Sequence, residues 1–230
     1  MNRKKRRKNR IRYFLLALLS IILVPIILAL LLNFPVLFSA YHSLKETMIF
    51  ALSGFVFFTI FYYVIGQPVR TYIIAHELTH VIFAILTGRS VKKISFKRSN
   101  SYVKTSGTNV FISLGPYVLP LYSIIIILIY KLLYMFNGSS RLISVICYFI
   151  AGAGYSFHIL STLHYLKYDQ PDMKRYGYFF SLTFVIIWLI IISSFLFWLM
   201  FPDVDLGGYL LNVLRDTARI YQQIIGIKGL

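Results

Sequence analysis

The sequence has little of what keeps a soluble domain in water. Only 13% of its 230 residues are charged, whereas 58% are hydrophobic and 17% are aromatic. This composition is far more apolar than that of an ordinary soluble domain. The charged residues come in clusters between long apolar runs, several of them about 20 residues long, as in chains that cross a bilayer repeatedly. We therefore expect a multi-pass integral protein of the cell membrane.

Cysteine and acidic residues are also scarce. The single cysteine, Cys147, lies within an apolar run, so the chain can form no internal disulfide. Seven Asp and Glu stand against 24 Lys and Arg, which gives a net charge of +17. Eight of the basic residues lie in 3–12 and six in 89–104, next to apolar spans. Because no nucleic-acid recognition module accompanies them, we expect their partner to be the anionic surface of the lipid bilayer and not nucleic acid.

The apolar runs predict an all-α polytopic membrane protein with about six transmembrane helices. Within the first span, Pro25 is expected to kink the helix. Gly152 and Gly154 suit close helix packing in the fifth span, 142–163. We find no internal repeat and predict one membrane-embedded domain over residues 1–230. Its segments are a basic cytoplasmic arm (1–12), two accessory spans joined by a connection at 33–47 (13–66), a core (69–177), a last span (178–201) and a C-terminal amphipathic helix (204–227).

Within this core, residues 89–107 differ from the spans on either side. Two short, partly alternating stretches, 91–97 and 102–105, surround Ser99-Asn100-Ser101, which predicts a small β-hairpin. A solvated basic loop at the lipid headgroups is the alternative. The next apolar run, 110–135, is long enough for a fourth span and is interrupted by Gly115-Pro116 and by Pro120.

The third span, 69–86, contains a His-Glu-x-x-His motif formed by His76, Glu77 and His80. Histidines four residues apart lie on one face of a helix, close enough to bind one metal ion. The glutamate beside them can act as a general base toward water that the metal activates. The chain holds only five His and two Glu, so chance rarely produces this motif here. Polar contacts between helices are the alternative explanation, although apolar spans seldom carry three ionisable groups without a function.

A catalytic zinc usually takes three protein ligands, and the third ligand is left open by the sequence. The carboxylates not otherwise assigned are Asp169, Asp172, Asp203, Asp205 and Asp216, and His158 and His164 are the nitrogen alternatives. An aspartate just before a helix, such as Asp172 or Asp205, is often only an N-cap. A histidine near the end of a span, such as His164, often lies at the water interface.

The order of these features resembles the site-2 protease family of membrane-embedded zinc metalloproteases. The resemblance covers roughly residues 69–177: the His-Glu-x-x-His helix, the hairpin, the Gly115-Pro116 pair and then Asp172. It implies a Zn²⁺ ion bound by His76, His80 and Asp172. The aspartate motif departs from the family pattern, with His164 where the family has asparagine, Lys167 in place of proline, and no glycine directly after Asp172.

The resemblance implies an intramembrane zinc metalloendopeptidase that hydrolyses peptide bonds of membrane-anchored substrate proteins. Glu77 would accept a proton from water during attack and pass it to the leaving amine. His164 would contact the substrate or the developing oxyanion. The alternative from another class is a non-enzymatic membrane protein that binds or transports a divalent metal.

The sidedness of the hairpin is a conflict within the sequence. The basic arm places Met1 inside, so two spans later residue 69 also begins inside, and the third span would leave the basic hairpin outside. The resemblance implies instead that the hairpin and active site lie towards the cytoplasm. Either the hairpin re-enters the membrane or one early apolar run is not a full crossing.

Overall fold

The computed structural model describes residues 3–38, 41–98, 100–138, 140–168, 170–201 and 203–226, with the side chains of 3–8, 41–44, 100 and 137 left out. The described chain is mostly helical and contains a two-stranded antiparallel sheet. Its contacts divide it into two units, Met1–Ala40 with Asp169–Leu230, and Tyr41–Tyr168. The single membrane-embedded domain stays a prediction.

The first unit combines the two ends of the chain. Its elements are α1 (Arg3–Ile22), α2 (Val24–Asn33), a short 3-10 helix (Phe34–Phe38), α8 (Pro171–Tyr176), α9 (Tyr178–Met200) and α10 (Leu206–Ile225). Within this unit α1 and α2 both pack against α9, and α10 packs against α2.

The second unit contains the motif. Its elements are α3 (Tyr41–Ile65), α4 (Val69–Leu86), β1 (Val91–Lys97), β2 (Asn100–Thr105), α5 (Val110–Leu114), a 3-10 turn (Gly115–Tyr117), α6 (Leu121–Asn137) and α7 (Arg141–Leu166). The strands pair from Val91 opposite Thr105 to Lys97 opposite Asn100, with an irregularity between Val91 and Lys93. The predicted β-hairpin is therefore confirmed.

Five helical segments of the described chain are long and apolar enough to cross a membrane, which is consistent with the expected membrane protein. The predicted fourth span is broken into two helical pieces bent by 82°, and it makes a sixth candidate if the two pieces count as one crossing. The five segments are Asn9–Phe38, Lys45–Ile65, Val69–Leu86, Arg141–Leu166 and Tyr178–Met200.

Proline and aspartate define two of the helix boundaries. The helical run of the first span is interrupted at Leu23, and Pro25 lies in the first turn of α2, because proline fits a helix start and disrupts a helix interior. At the other end of the chain, Asp205 caps α10 by accepting a hydrogen bond from the Gly208 N–H at 2.8 Å. Asp205 therefore has the capping role that the sequence offered as its alternative.

One predicted boundary is wrong. Most of the predicted connection at 33–47 is helical. A 3-10 helix covers Phe34–Phe38, and α3 already begins at Tyr41. The polar residues before Met48 interrupt the apolar run, which predicts a connection there. A helix can continue past the end of an apolar stretch, since its backbone bonds do not depend on side-chain polarity.

The hairpin lies along α4, because both strands contact this helix. At its turn, Arg98 shares a cleft with residues 67–71, where α4 begins. Seven residues of strand extend about 23 Å, and the 18 residues of α4 extend about 27 Å. The hairpin thus runs back along the helix, and its turn lies near the helix N-terminus.

Candidate metal centre

Helix α4 carries the whole His-Glu-x-x-His motif. The helix ends at Leu86, where Gly88 adopts a positive φ of 69° and the Arg89 N–H bonds to the Ala84 carbonyl at 2.7 Å, as in a glycine-terminated helix. The rings of His76 and His80 lie with centroids 4.8 Å apart and planes at 87°. Their spacing of one helical turn therefore places two imidazoles side by side on one face.

His80 is oriented by the backbone carbonyl of Ile112. This carbonyl has no helical hydrogen-bond donor, because the residue four positions later is Pro116. In a continuous helix the Ile112 carbonyl would accept from residue 116, but residue 116 is proline and has no N–H. The His80 Nδ1 lies 2.5 Å from this carbonyl oxygen. A carbonyl only accepts, so Nδ1 carries the proton and Nε2 presents a lone pair. This tautomer is the one that a metal ligand binding through Nε2 needs.

His76 is held by a tyrosine one turn earlier on the same helix. The Tyr72 hydroxyl lies 3.0 Å from His76 Nδ1, and the Tyr72 ring stacks on Tyr165 of α7 at 3.8 Å and 11°. The edge of His76 also meets the ring of Tyr117, with centroids 5.5 Å apart. These contacts fix the orientation of the His76 ring on the same face of α4 as His80.

Glu77, the third residue of the motif, is buried. Only 4% of its surface is exposed. It is one of two glutamates in the sequence. Burying a carboxylate costs free energy unless a charge or hydrogen-bond donor compensates it. Such a residue next to two histidines in an apolar helix is typical of a functional site.

His76, His80 and Asp172 are a group of residues that could hold a metal ion. Two imidazole nitrogens and a carboxylate oxygen are a donor set that zinc accepts.

The other predicted site residues lie elsewhere or outside the described chain. His164, in the last turn of α7, has its Nδ1 3.0 Å from the Tyr62 hydroxyl and is not part of this group. Its contact with substrate or oxyanion stays a prediction. His158 is buried in α7 and is not part of this group either. Asp169, an alternative third ligand, lies outside the described residues.

Residues that hold the motif in place were missed by the sequence analysis. Tyr72 precedes His76 by four residues, so helical spacing could have indicated this contact. The sequence holds a weaker indication of the Ile112 contact. Pro116, four residues later, has no N–H, so it leaves the Ile112 carbonyl free to accept from another group. Tyr165 had none, because its stacking on Tyr72 depends on how α7 packs against α4.

No protein-family model, curated protein or solved structure matches the chain.

Proposed function

We propose that this protein is a membrane-embedded zinc metalloendopeptidase that hydrolyses peptide bonds of membrane-anchored proteins. The observation that carries the proposal is the His80 imidazole, whose Nδ1–H is held by the Ile112 carbonyl while Glu77 lies buried one turn away. An imidazole fixed in the metal-binding tautomer beside a buried carboxylate is the arrangement that metal-assisted hydrolysis uses. The resemblance to site-2 proteases over residues 69–177 also supports the proposal.

His76, His80 and Asp172 would hold the ion, and their donor atoms fit zinc. A bound zinc supplies Lewis-acid chemistry, which activates water and polarises a carbonyl. The chain's own contribution to the site is orientation. Ile112 fixes the ring of His80, and Tyr72, stacked on Tyr165, fixes the ring of His76.

Glu77 is the proposed general base. Its carboxylate would take a proton from the attacking water and deliver it to the leaving amine, so that the peptide C–N bond breaks as the new C–O bond forms. His164 is the proposed contact for the substrate or the oxyanion.

The proposed substrate is an extended segment of a membrane-anchored protein, because a helix hides its peptide bonds. The β-hairpin lies along α4, the helix that carries the motif. A two-stranded sheet offers strand edges to which an extended peptide can add through main-chain hydrogen bonds. In this proposal the binding surface would lie next to the helix that carries the proposed catalytic residues.

Glu77→Gln tests the proposal. In purified protein the variant should bind zinc like the parent yet cleave a membrane-anchored test substrate about 10²–10⁴-fold more slowly, since the general base is lost. Glu46→Gln is the matched control, because Glu46 is the other glutamate and forms an exposed ion pair with Arg141 at 3.3 Å. This control should retain activity.

Metal removal completes the experiment. Chelation should abolish cleavage and added zinc should restore it. Zinc binding without cleavage in the parent would favour the alternative, a non-enzymatic metal-binding or transport protein. Retained turnover in Glu77→Gln would contradict the general-base role.

A further inference from the structure

An open cleft of about 430 Å³ lies where α4 begins, and it belongs to none of the groups described above. Residues 67–71 line it from the helix side, and Arg98 lines it from the turn of the hairpin. Counted along the helix at about 1.5 Å per residue, Arg70 precedes His76 by about 9 Å. The cleft is therefore separate from the metal-binding atoms but lies on the same helix.

The cleft is lined by hydrogen-bond donors and positive charge. Arg70 and Arg98 come from two different elements and are both exposed. The first turn of α4 contributes backbone N–H groups and the positive end of the helix dipole. The Gln67 amide nitrogen is buried and has no hydrogen-bond partner among the described residues. A buried donor of this kind is costly unless a ligand or water accepts from it.

The unit that contains these arginines is poor in acidic residues. Residues 41–168 contain eleven Lys and Arg but only two acids, Glu46 and Glu77. Glu46 pairs with Arg141, and Glu77 is buried within the motif. Among the described residues, neither Arg70 nor Arg98 forms an ion pair. An anion from outside the chain would neutralise this charge.

We propose that this cleft binds a phosphate group through Arg70, Arg98 and the Gln67 amide. Arginine is the side chain best suited to phosphate, because its planar guanidinium donates two parallel hydrogen bonds to phosphate oxygens. A helix N-terminus adds backbone donors to the same anion. The phosphate belongs either to an anionic lipid headgroup or to a soluble phosphate, and the chemistry of recognition is shared. A lipid headgroup bound here would anchor the hairpin turn to the start of α4.

The test measures binding of fluorescent short-chain phosphatidic acid to the full chain in uncharged detergent. Arg70→Gln/Arg98→Gln should weaken binding by about tenfold or more, because two charge-assisted contacts are lost. Lys92→Gln/Lys97→Gln removes the same charge from exposed positions of β1 outside the cleft, and it should change binding less than about twofold. An equal loss in both double variants would overturn the proposal, as would absence of binding in the parent.

Inorganic phosphate identifies the source of the anion. Displacement of the probe by millimolar inorganic phosphate would indicate a soluble phosphate site, whereas resistance to displacement would indicate a lipid headgroup site. Both results support phosphate recognition. Arg98 lies in an exposed turn, so the single variant Arg98→Gln should fold, and it should also weaken binding of the probe. The test therefore stays valid if the double variant fails to fold. Glu77→Gln should bind the probe like the parent, so failure of the protease proposal does not affect this one.

Discussion

At the scale of single residues, a motif histidine bonds to the backbone where a proline breaks a helix. Pro116 has no N–H to donate to the Ile112 carbonyl, and this carbonyl accepts from His80 Nδ1. Across the break, the Leu121 N–H bonds to the Leu119 carbonyl at 2.8 Å. Buried backbone groups must be satisfied, and in apolar surroundings each unmet group costs several kcal/mol. The His80 contact therefore satisfies a carbonyl at the helix break and also fixes a proposed metal ligand.

The third ligand gives a prediction at this scale. Asp172→Ala should weaken zinc binding by more than the roughly 10–100-fold that loss of an outer-shell partner causes, because a direct donor is removed. Zinc affinity measured by competition with a chelator checks this outcome.

Asp169→Ala is the control for Asp172→Ala, since Asp169 is the neighbouring carboxylate that the sequence left open as a ligand. It should bind zinc like the parent. The assignment is wrong if Asp172→Ala retains the parent affinity, and the reverse pattern would make Asp169 the ligand.

The sequence predicts part of this site because helical spacing is a local property. His76, Glu77 and His80 follow from the four-residue spacing of the two histidines on one helix. Contacts from α5 and α7 could not be predicted in the same way. They depend on which elements approach α4, and neither a backbone carbonyl nor a stacked tyrosine has a spacing signature.

At the scale of elements, α3 and α7 pack backbone against backbone. A Cβ added to Gly152 would lie 1.8 Å from the Ala51 carbonyl oxygen, and one added to Gly54 would lie 1.9 Å from that of Phe149. Real Cβ atoms do not approach so closely, so the two helices contact each other at both glycines because neither carries a side chain. Gly152 was predicted for close packing, whereas Gly54 lies in a Phe- and Tyr-rich run that gave no such signal.

Gly152→Ala should therefore destabilise the protein. The added methyl must push α3 and α7 apart, and overpacking of this kind costs about 1–3 kcal/mol, occasionally more. The thermal unfolding midpoint in detergent should fall.

Gly207→Ala is the matched control for Gly152→Ala. Gly207 lies in α10, where the added Cβ would meet Asp205 at an ordinary 3.6 Å. Alanine in an unhindered helix position stabilises by about 0.5–1 kcal/mol relative to glycine, so this midpoint should hold or rise. An unchanged midpoint in Gly152→Ala would show that the helices do not require this close approach.

At the scale of the whole molecule, the course of the hairpin bears on the conflict over sidedness. The hairpin turn lies where α4 begins, because Arg98 and residues 67–71 share one cleft. A basic arm that keeps Met1 inside, followed by two crossings, also places residue 67 inside. The hairpin turn would then return to the cytoplasmic side, as the positive-inside tendency favours. Of the two solutions that the sequence left open, we therefore favour a hairpin that re-enters.

Cysteine labelling with a membrane-impermeant reagent tests this topology after Cys147→Ala has removed the native thiol. Gln67→Cys and Arg98→Cys lie at one end of α4 and should react from the cytoplasmic side together. Arg89→Cys lies at the other end, directly after Gly88, and should not react from that side. Reaction of Gln67→Cys and Arg98→Cys from opposite sides would contradict a re-entrant hairpin. If both cysteines reacted from the external side, the hairpin geometry would stand. The number of membrane crossings before α4 would then be one fewer or one more than two.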